Sequence, residues 1–337
     1  MTHDSSTLIK PASPVRLSAD EKPILVVVID TEEEFDWNAP FDRQQTPVEA
    51  MRGVNRIQPI FDQFGVRPVY AIDYPVATTP SSIDILKPIV DDGRAVLASH
   101  VHPWVNPPHE EEVNNHNSFP GHLPRQLELE KLRILTDEIE ANFGVRPKAY
   151  KAGRYGVGEA TESVLAELGF EVDLSTCPPL DVRDRGGRDY THFPIGAWWF
   201  GGDRQMLEIP HTGAFIGFLH GMAGAVFPAA KALEKLKATG ILARLGALDR
   251  LRLSPEGFPL HEHIKLTDAL LKRGERIFCY SFHSPSLEAG YTPYVKNADE
   301  LQQFLDSVRD YCDYFVNQCG GVCMTPDELR HYLLGRV

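Results

Sequence analysis

No apolar run in this chain approaches the ~20 residues that a membrane-spanning helix requires, so a transmembrane segment is excluded. The first 23 residues also lack the apolar core of a signal peptide; they are polar and rich in Ser and Pro, and a loose tail is expected over residues 1–21. Basic charge is in short supply. Lys and Arg number 34 against 47 Asp and Glu, a formal net charge of −13. Such a chain has no broad cationic surface for phosphate backbones, which argues against nucleic acid as a partner. Cysteine is sparse and odd in number: Cys177, Cys279, Cys312, Cys319 and Cys323 form no CxxC pair. Reduced thiols in a cytoplasmic protein are the expectation. Cys319 and Cys323 near His331 have the wrong spacing for a zinc ribbon and read as buried thiols.

What is present is an ordinary soluble composition, 42% hydrophobic and 24% charged, with a recurring pattern. A short β-rich apolar run is followed by a polar loop and then by a segment of helical period. Strands are expected at 24–30, 66–73, 94–100, 146–152, 170–175, 206–212 and 275–283. Helices are expected between them and at 299–315, where Leu301, Phe304, Leu305, Val308, Tyr311, Cys312 and Phe315 recur at spacings of three and four. Residues 176–205, with Trp198-Trp199, read as irregular. Strands that alternate with helices pair in parallel, and seven or eight such units imply an α/β fold of the (β/α)-barrel kind. Residues 22–337 are expected to form one such domain, with a mostly helical insertion at about 214–273.

Polar residues gather where the expected strands end: Asp30 then Glu32, Asp73, His100 then His102, Lys151 with Arg154, Asp173, His211 and His283. In a parallel barrel all of these lie on the C-terminal rim, where such folds place their sites. Asp30 and Glu32 stand two apart at a strand end and so share a face; one can bind a metal while the other acts as a base. His100 and His102 have the same spacing in Ser-His-Val-His-Pro-Trp, which suits chelation of one divalent ion. His109, His116 and His122 follow in a loop and read as substrate contacts or exposed residues. His283 closes an apolar strand and is a candidate general acid. Lys-Ala-Gly-Arg-Tyr-Gly-Val-Gly (151–158) has the order GxxGxG rather than GxGxxG, so a dinucleotide site is not inferred, and its cations are read as holding a carboxylate base.

DTEEEFDW, HVHPWVNPP, AGRYGVG and SFHSPSL, in this order, resemble the polysaccharide deacetylase (NodB-homology) superfamily, most of all its WalW-like branch. The resemblance spans about residues 23–330. It implies a distorted (β/α) barrel with seven or eight parallel strands, a divalent metal (usually zinc) and hydrolysis of N-acetyl groups on sugars. Residue by residue it makes Asp30 the catalytic base and puts Glu32 in place of the second, metal-binding aspartate. His100 matches the first metal histidine. His102 stands in for the second, because Trp104 occupies that position. His283 matches the acid, and the arginine that steadies the base falls at Lys151, with Arg154 as a nearby substitute.

The expected function is therefore metal-dependent removal of N-acetyl groups from an amino-sugar polysaccharide, oligosaccharide or glycolipid. Trp104, Tyr155 and Trp198 are candidate sugar-stacking rings and Asp73 a candidate substrate contact. Two alternatives accompany it: metal-dependent hydrolysis of another C–N amide or a cyclic ureide, and an inactive barrel that only binds sugar.

Overall fold

In a computed structural model, residues 13–37, 39–202 and 205–336 are described. The strands are β1 (Ser13–Pro14), β2 (Ile24–Thr31), β3 (Val69–Ile72), β4 (Val96–Val101), β5 (Ala149–Ala152), β6 (Val172–Asp173), β7 (Trp198–Phe200), β8 (Met206–Glu208), β9 (Gly213–Ile216), β10 (Asp249–Arg252), β11 (Ile277–His283) and β12 (Val322–Cys323). The helices are α1 (Val54–Gln63), α2 (Tyr74–Thr78), α3 (Pro80–Asp91), α4 (Arg125–Phe143), α5 (Thr161–Leu168), α6 (Ala223–Ala232), α7 (Ala238–Arg244), α8 (Leu260–Lys272), α9 (Ala298–Asp313) and α10 (Pro326–Leu334). Among the described residues, no helix is long and apolar enough to cross a membrane.

All seven expected strands form, and they pair in parallel in the order β8-β6-β5-β4-β3-β2-β11. The short β12 pairs in parallel with the start of β2, through Val322 on Ile24 and Cys323 on Leu25. The curled sheet does not close by strand pairing. Its gap is bridged by irregular backbone: Thr212 N donates to Cys279 O at 3.1 Å, Leu253 N to Thr212 O at 2.8 Å and Ser281 N to Leu253 O at 3.1 Å. The result is a distorted, open barrel.

Strand parity positions the site. On β2, Leu25, Val27 and Ile29 pack outward beneath the helices, whereas Ile24, Val26 and Val28 face an inner core with Ala71, Ala98, Ala149 and Cys279. Side chains alternate sides along a strand, so Asp30 and Glu32 continue the inner face upward. The same count puts His100 and His102 above Ala98, Lys151 above Ala149, and Ser281 and His283 above Cys279. In register, Asp30 lies beside His283 on one side and Ala71 on the other, and Ala71 lies beside Ala98. Two small alanines in that layer leave room for the Lys151 side chain, from β5, to reach across to β2.

Three expectations need correction. Residues 13–21, taken as part of a loose tail, are tied to the barrel: Ser13 and Pro14 pair with Trp199 and Trp198, and Val15 and Leu17 pack on the inner core. Residues 1–12 of that tail lie outside the described residues. Trp198-Trp199, read as irregular, form β7, antiparallel to β8, because both rings bury against neighbouring apolar groups. The insertion at 214–273 is not simply helical. It is framed by the antiparallel ribbon of β9 and β10, with α6 and α7 at its far end and α8 leading back to the barrel.

Candidate active site

Asp30 is buried, and its Oδ1 accepts a hydrogen bond from Lys151 Nζ at 2.5 Å; the same ammonium donates to Ser281 Oγ at 2.9 Å. Its other oxygen lies 3.7 Å from His283 Nε2. Burial alone would push the Asp30 carboxyl up, but Lys151, then His100 and His283, outweigh it and hold the group at about 2. Asp30 is thus an anion at neutral pH, fixed in place by a cation.

His283 is turned toward Asp30 by a residue that the sequence reading did not single out. Glu256, in the turn after β10, accepts from His283 Nδ1 at 2.7 Å and from its backbone N–H at 3.1 Å. The Ser286 hydroxyl donates to the same carboxylate at 2.6 Å. Burial would lower the imidazole, yet Glu256 and then Glu32 raise it to about 10, so His283 carries a proton at neutral pH. Nothing local in Leu-Ser-Pro-Glu-Gly-Phe signals this role, since Glu256 and His283 are joined only by the fold.

Glu32, His100 and His102 meet as the sequence predicts. The Glu32 Oε2 lies 3.5 Å from His100 Nε2 and 3.4 Å from His102 Nε2, and the three ligand atoms fall within 4.8 Å of one another. Each imidazole is anchored at its other nitrogen: His100 Nδ1 on Lys151 O at 2.9 Å, His102 Nδ1 on Glu33 Oε2 at 2.8 Å. With Nδ1 protonated and donating, both Nε2 lone pairs point into the pocket. Among the described residues, Glu32 Oε1 and His100 Nε2 are buried with no hydrogen-bond partner, which fits a cation site. Two imidazoles and one carboxylate form a donor set that suits zinc and leaves positions open.

Glu33 faces the opposite way. Besides His102 it accepts the indole N–H of Trp104 at 2.8 Å, and its own N–H donates to Asp73 Oδ2 at 2.7 Å. Asp73 also caps α2 by accepting from Val76 N at 2.9 Å. Burial pushes Glu33 up to about 7 and holds Asp73 well above the usual carboxylate range. Glu33, Asp73 and His102 are close enough to resemble a second cation site, but His102 Nδ1, Glu33 and Asp73 already spend these atoms on one another.

This geometry corrects several site expectations. Trp104 is 1% exposed; it stacks on His102 at 4.4 Å between centroids and holds Glu33, out of reach of any sugar. Asp73 is fully buried and serves α2 and Glu33, not a substrate. Trp198 is likewise fully buried, in β7. Arg154 does not touch Asp30: its guanidinium bonds Asn115 and Ser118 and lies 4.0 Å over the Phe119 ring. Lys151 alone takes the steadying role, because the turn after β5 swings the next side chains away. In that turn Arg154 and Tyr155 have φ of 57° and 56°, a conformation that costs a non-glycine residue energy. Gly153 is required there, since a Cβ would stand 2.4 Å from Val101 O and 2.6 Å from the His102 ring. Tyr155 remains half-buried at the mouth, its ring 5.7 Å from Lys151 Nζ. His116 and His122 stack on each other in their loop.

Two further features frame the mouth. The buried Lys131 of α4 donates to the carbonyls of Pro103 (2.9 Å), Asn106 (2.6 Å) and Pro108 (2.7 Å), which pins the loop that carries Trp104. Trp37 packs edge-on against His283 at 4.9 Å and against Tyr294 at 5.6 Å, forming an aromatic wall beside His283.

No known family pattern matches the chain, and neither does any curated protein. Solved structures do. PuuE allantoinase matches with a TM-score of 0.57 at 15% identity, over 94% of each chain. A probable polysaccharide deacetylase from Pseudomonas aeruginosa PAO1 matches at 0.55 and 14%, over 93% of this chain and 91% of its own. The 4-alpha-glucanotransferase of Thermococcus litoralis matches at 0.53 and 11%, over 94% of this chain but 41% of its own. At these identities the likeness establishes the fold, the NodB-type distorted barrel, and nothing finer.

Proposed function

We propose that this chain is a member of the polysaccharide deacetylase superfamily, a metal-dependent hydrolase that removes N-acetyl groups from an amino-sugar polysaccharide, oligosaccharide or glycolipid. One observation carries the reading. An ionised carboxylate (Asp30), a protonated imidazole (His283) and an unsatisfied three-donor pocket (Glu32, His100, His102) open on the same space. A purely sugar-binding barrel has no use for a base and an acid held in opposite protonation states by separate partners.

Glu32, His100 and His102 would hold the divalent cation, read as zinc from the donor set. When bound, it supplies Lewis acidity, lowering the pKa of a water to about 7 and polarising a carbonyl. Asp30, which its low pKa keeps ionised and Lys151 holds in place, takes the proton from the attacking water. Lys151 keeps Asp30 ionised before the step and compensates its charge within the buried layer. His283 gives its proton to the departing amine nitrogen, and Glu256 holds the ring so that Nε2 faces the reaction space. Trp37, Tyr155 and Tyr294 offer the aromatic surface for a sugar ring. The five free thiols support a reducing compartment, which we read as the cytoplasm.

Release of acetate from N-acetylglucosamine oligomers by metal-replete protein tests the proposal. Acetate is expected with one bound zinc per chain and none after chelation; release that continues in the metal-free protein overturns it. The second reading, hydrolysis of another C–N amide, is favoured by the allantoinase that shares the fold over 94% of both chains. A panel of linear amides and cyclic ureides separates it from the first.

A further inference from the structure

Arg252 ends β10 at the rim of the barrel, where Gly213 of β9 pairs with it. Its guanidinium is half-buried and lies 5.5 Å over the Phe258 ring. Among the described residues, its one hydrogen-bond partner is the Cys177 thiol, at 3.9 Å from Nη1, and no carboxylate oxygen stands within ion-pair distance. A thiol is a weak acceptor, so the fork of five N–H donors is left largely unused. The place is built for it. A Cβ at residue 213 would come to 3.0 Å from Arg252 Cγ and 2.5 Å from Pro178 O, so glycine there lets the stem pass.

Arginines gather here, with the Glu256 and Asp30 carboxylates also within electrostatic range of Tyr155, Tyr294 and His211. Arg252 lies close enough to Tyr155, His211, Tyr294 and Arg250 to shift their titration, and Arg185 acts on Tyr294 and Arg154 in the same way. None of Arg154, Arg185, Arg250 and Arg252 forms an ion pair among the described residues, in a chain of net charge −13 whose Arg133, Arg146 and Arg183 are each paired twice. Withholding carboxylates from a half-buried guanidinium is costly unless an anion arrives to meet it. Tyr155 links this spot to the reaction centre: its hydroxyl stands 3.5 Å from His211 Nδ1 and its ring 5.7 Å from Lys151 Nζ. His211 Nε2 is held by Leu253 O at 3.0 Å, the residue next to Arg252.

We infer that Arg252 is the anchor of an anion subsite, with the Tyr155 hydroxyl beside it, that accepts a carboxylate or phosphate carried by the substrate. This rests on the hydrolase reading and narrows it: the sugar that enters is acidic, and the guanidinium orients it by a bidentate contact.

The test measures binding without turnover. Calorimetric titration of wild type, Arg252→Gln and the exposed control Arg244→Gln uses D-glucose, D-glucuronate and D-glucose 6-phosphate. Wild type and Arg244→Gln are expected to prefer at least one acidic sugar over glucose by about tenfold, and Arg252→Gln to lose that preference while glucose is unchanged. Whether glucuronate or the phosphate is preferred assigns the anion. Raising NaCl from about 50 to about 500 mM on wild type weakens only the acidic sugars, a check that does not depend on the variant folding. Equal binding of all three sugars, or a preference that survives Arg252→Gln, overturns the subsite. A preference for acidic sugars without acetate release from any acidic N-acetylated sugar sinks the deacetylase reading and leaves the subsite standing.

Discussion

Glu32 and Glu33 are neighbours in sequence and equally buried, yet they do opposite work. Glu32 looks into the barrel mouth, where one of its oxygens has no partner and the histidines around it lower its pKa despite burial. Glu33 looks into the protein, where both oxygens are spent on N–H donors and burial raises it to about 7. Two carboxylates of the same chemistry therefore differ in one thing, the side of the strand end on which they fall. An acidic run is not a site; a run read with its parity separates the proposed ligand from the group that supports it.

The largest effect that would break this contrast comes from Asp30, the proposed base between the two environments. Asp30→Asn is expected to lower acetate release by about 10²–10⁴-fold while leaving metal content at one per chain. A variant that keeps wild-type activity would remove Asp30 from the chemistry.

The contrast is sharpened by substituting each glutamate in turn. Glu32→Gln should strip the metal at any practical concentration, as elemental analysis would show. Glu33→Gln, which only loosens the hold on His102 Nδ1, should weaken metal affinity by about 10–100-fold and retain activity at saturating metal. Equal loss in both variants would erase the distinction.

A smaller effect is read in pH. His283 is held near 10 mainly by Glu256 against burial, and it must be protonated to act as the acid. Activity then falls as pH rises through that value. Glu256→Gln removes the negative charge, so the alkaline limb of the rate profile should move to lower pH by more than about one unit. The ion pair also contributes stability that is complete below the ordinary histidine value of about 6.5 and lost as pH rises toward about 10. Thermal melts should show that loss at lower pH in the variant, and an unmoved limb would detach Glu256 from His283.

The smallest is Trp104→Phe. It keeps a ring on His102 and deletes one N–H donated to Glu33, for an expected cost of about 1–3 kcal/mol in thermal stability and little change in sugar binding. A sharp loss of sugar affinity would restore Trp104 as a substrate contact.

Much of this was legible beforehand. The seven parallel strands follow from short apolar runs, and the shared face of Asp30 with Glu32, and of His100 with His102, follows from spacing alone. Capping is equally local: the Thr325 hydroxyl and Glu328 form the capping box that starts α10. Other roles were not legible. Trp104 and Trp198 carried aromatic rings that suit sugars, but ring chemistry does not reveal burial. The choice between Lys151 and Arg154 turned on two left-handed residues after β5, and Glu256 reaches His283 from a turn 27 residues away.

The amino-acid sequence alone determined which side chains line the inner face and that carboxylates and imidazoles would crown it, because alternation along a strand is a covalent, local property. Only the tertiary structure decided who partners whom: Lys151 with Asp30, Glu256 with His283, Glu33 with His102 and, among the described residues, Arg252 with no carboxylate. Those pairings depend on distances across the curled sheet, set by the small alanines between strands and by the path of loops, and no local spacing encodes such distances.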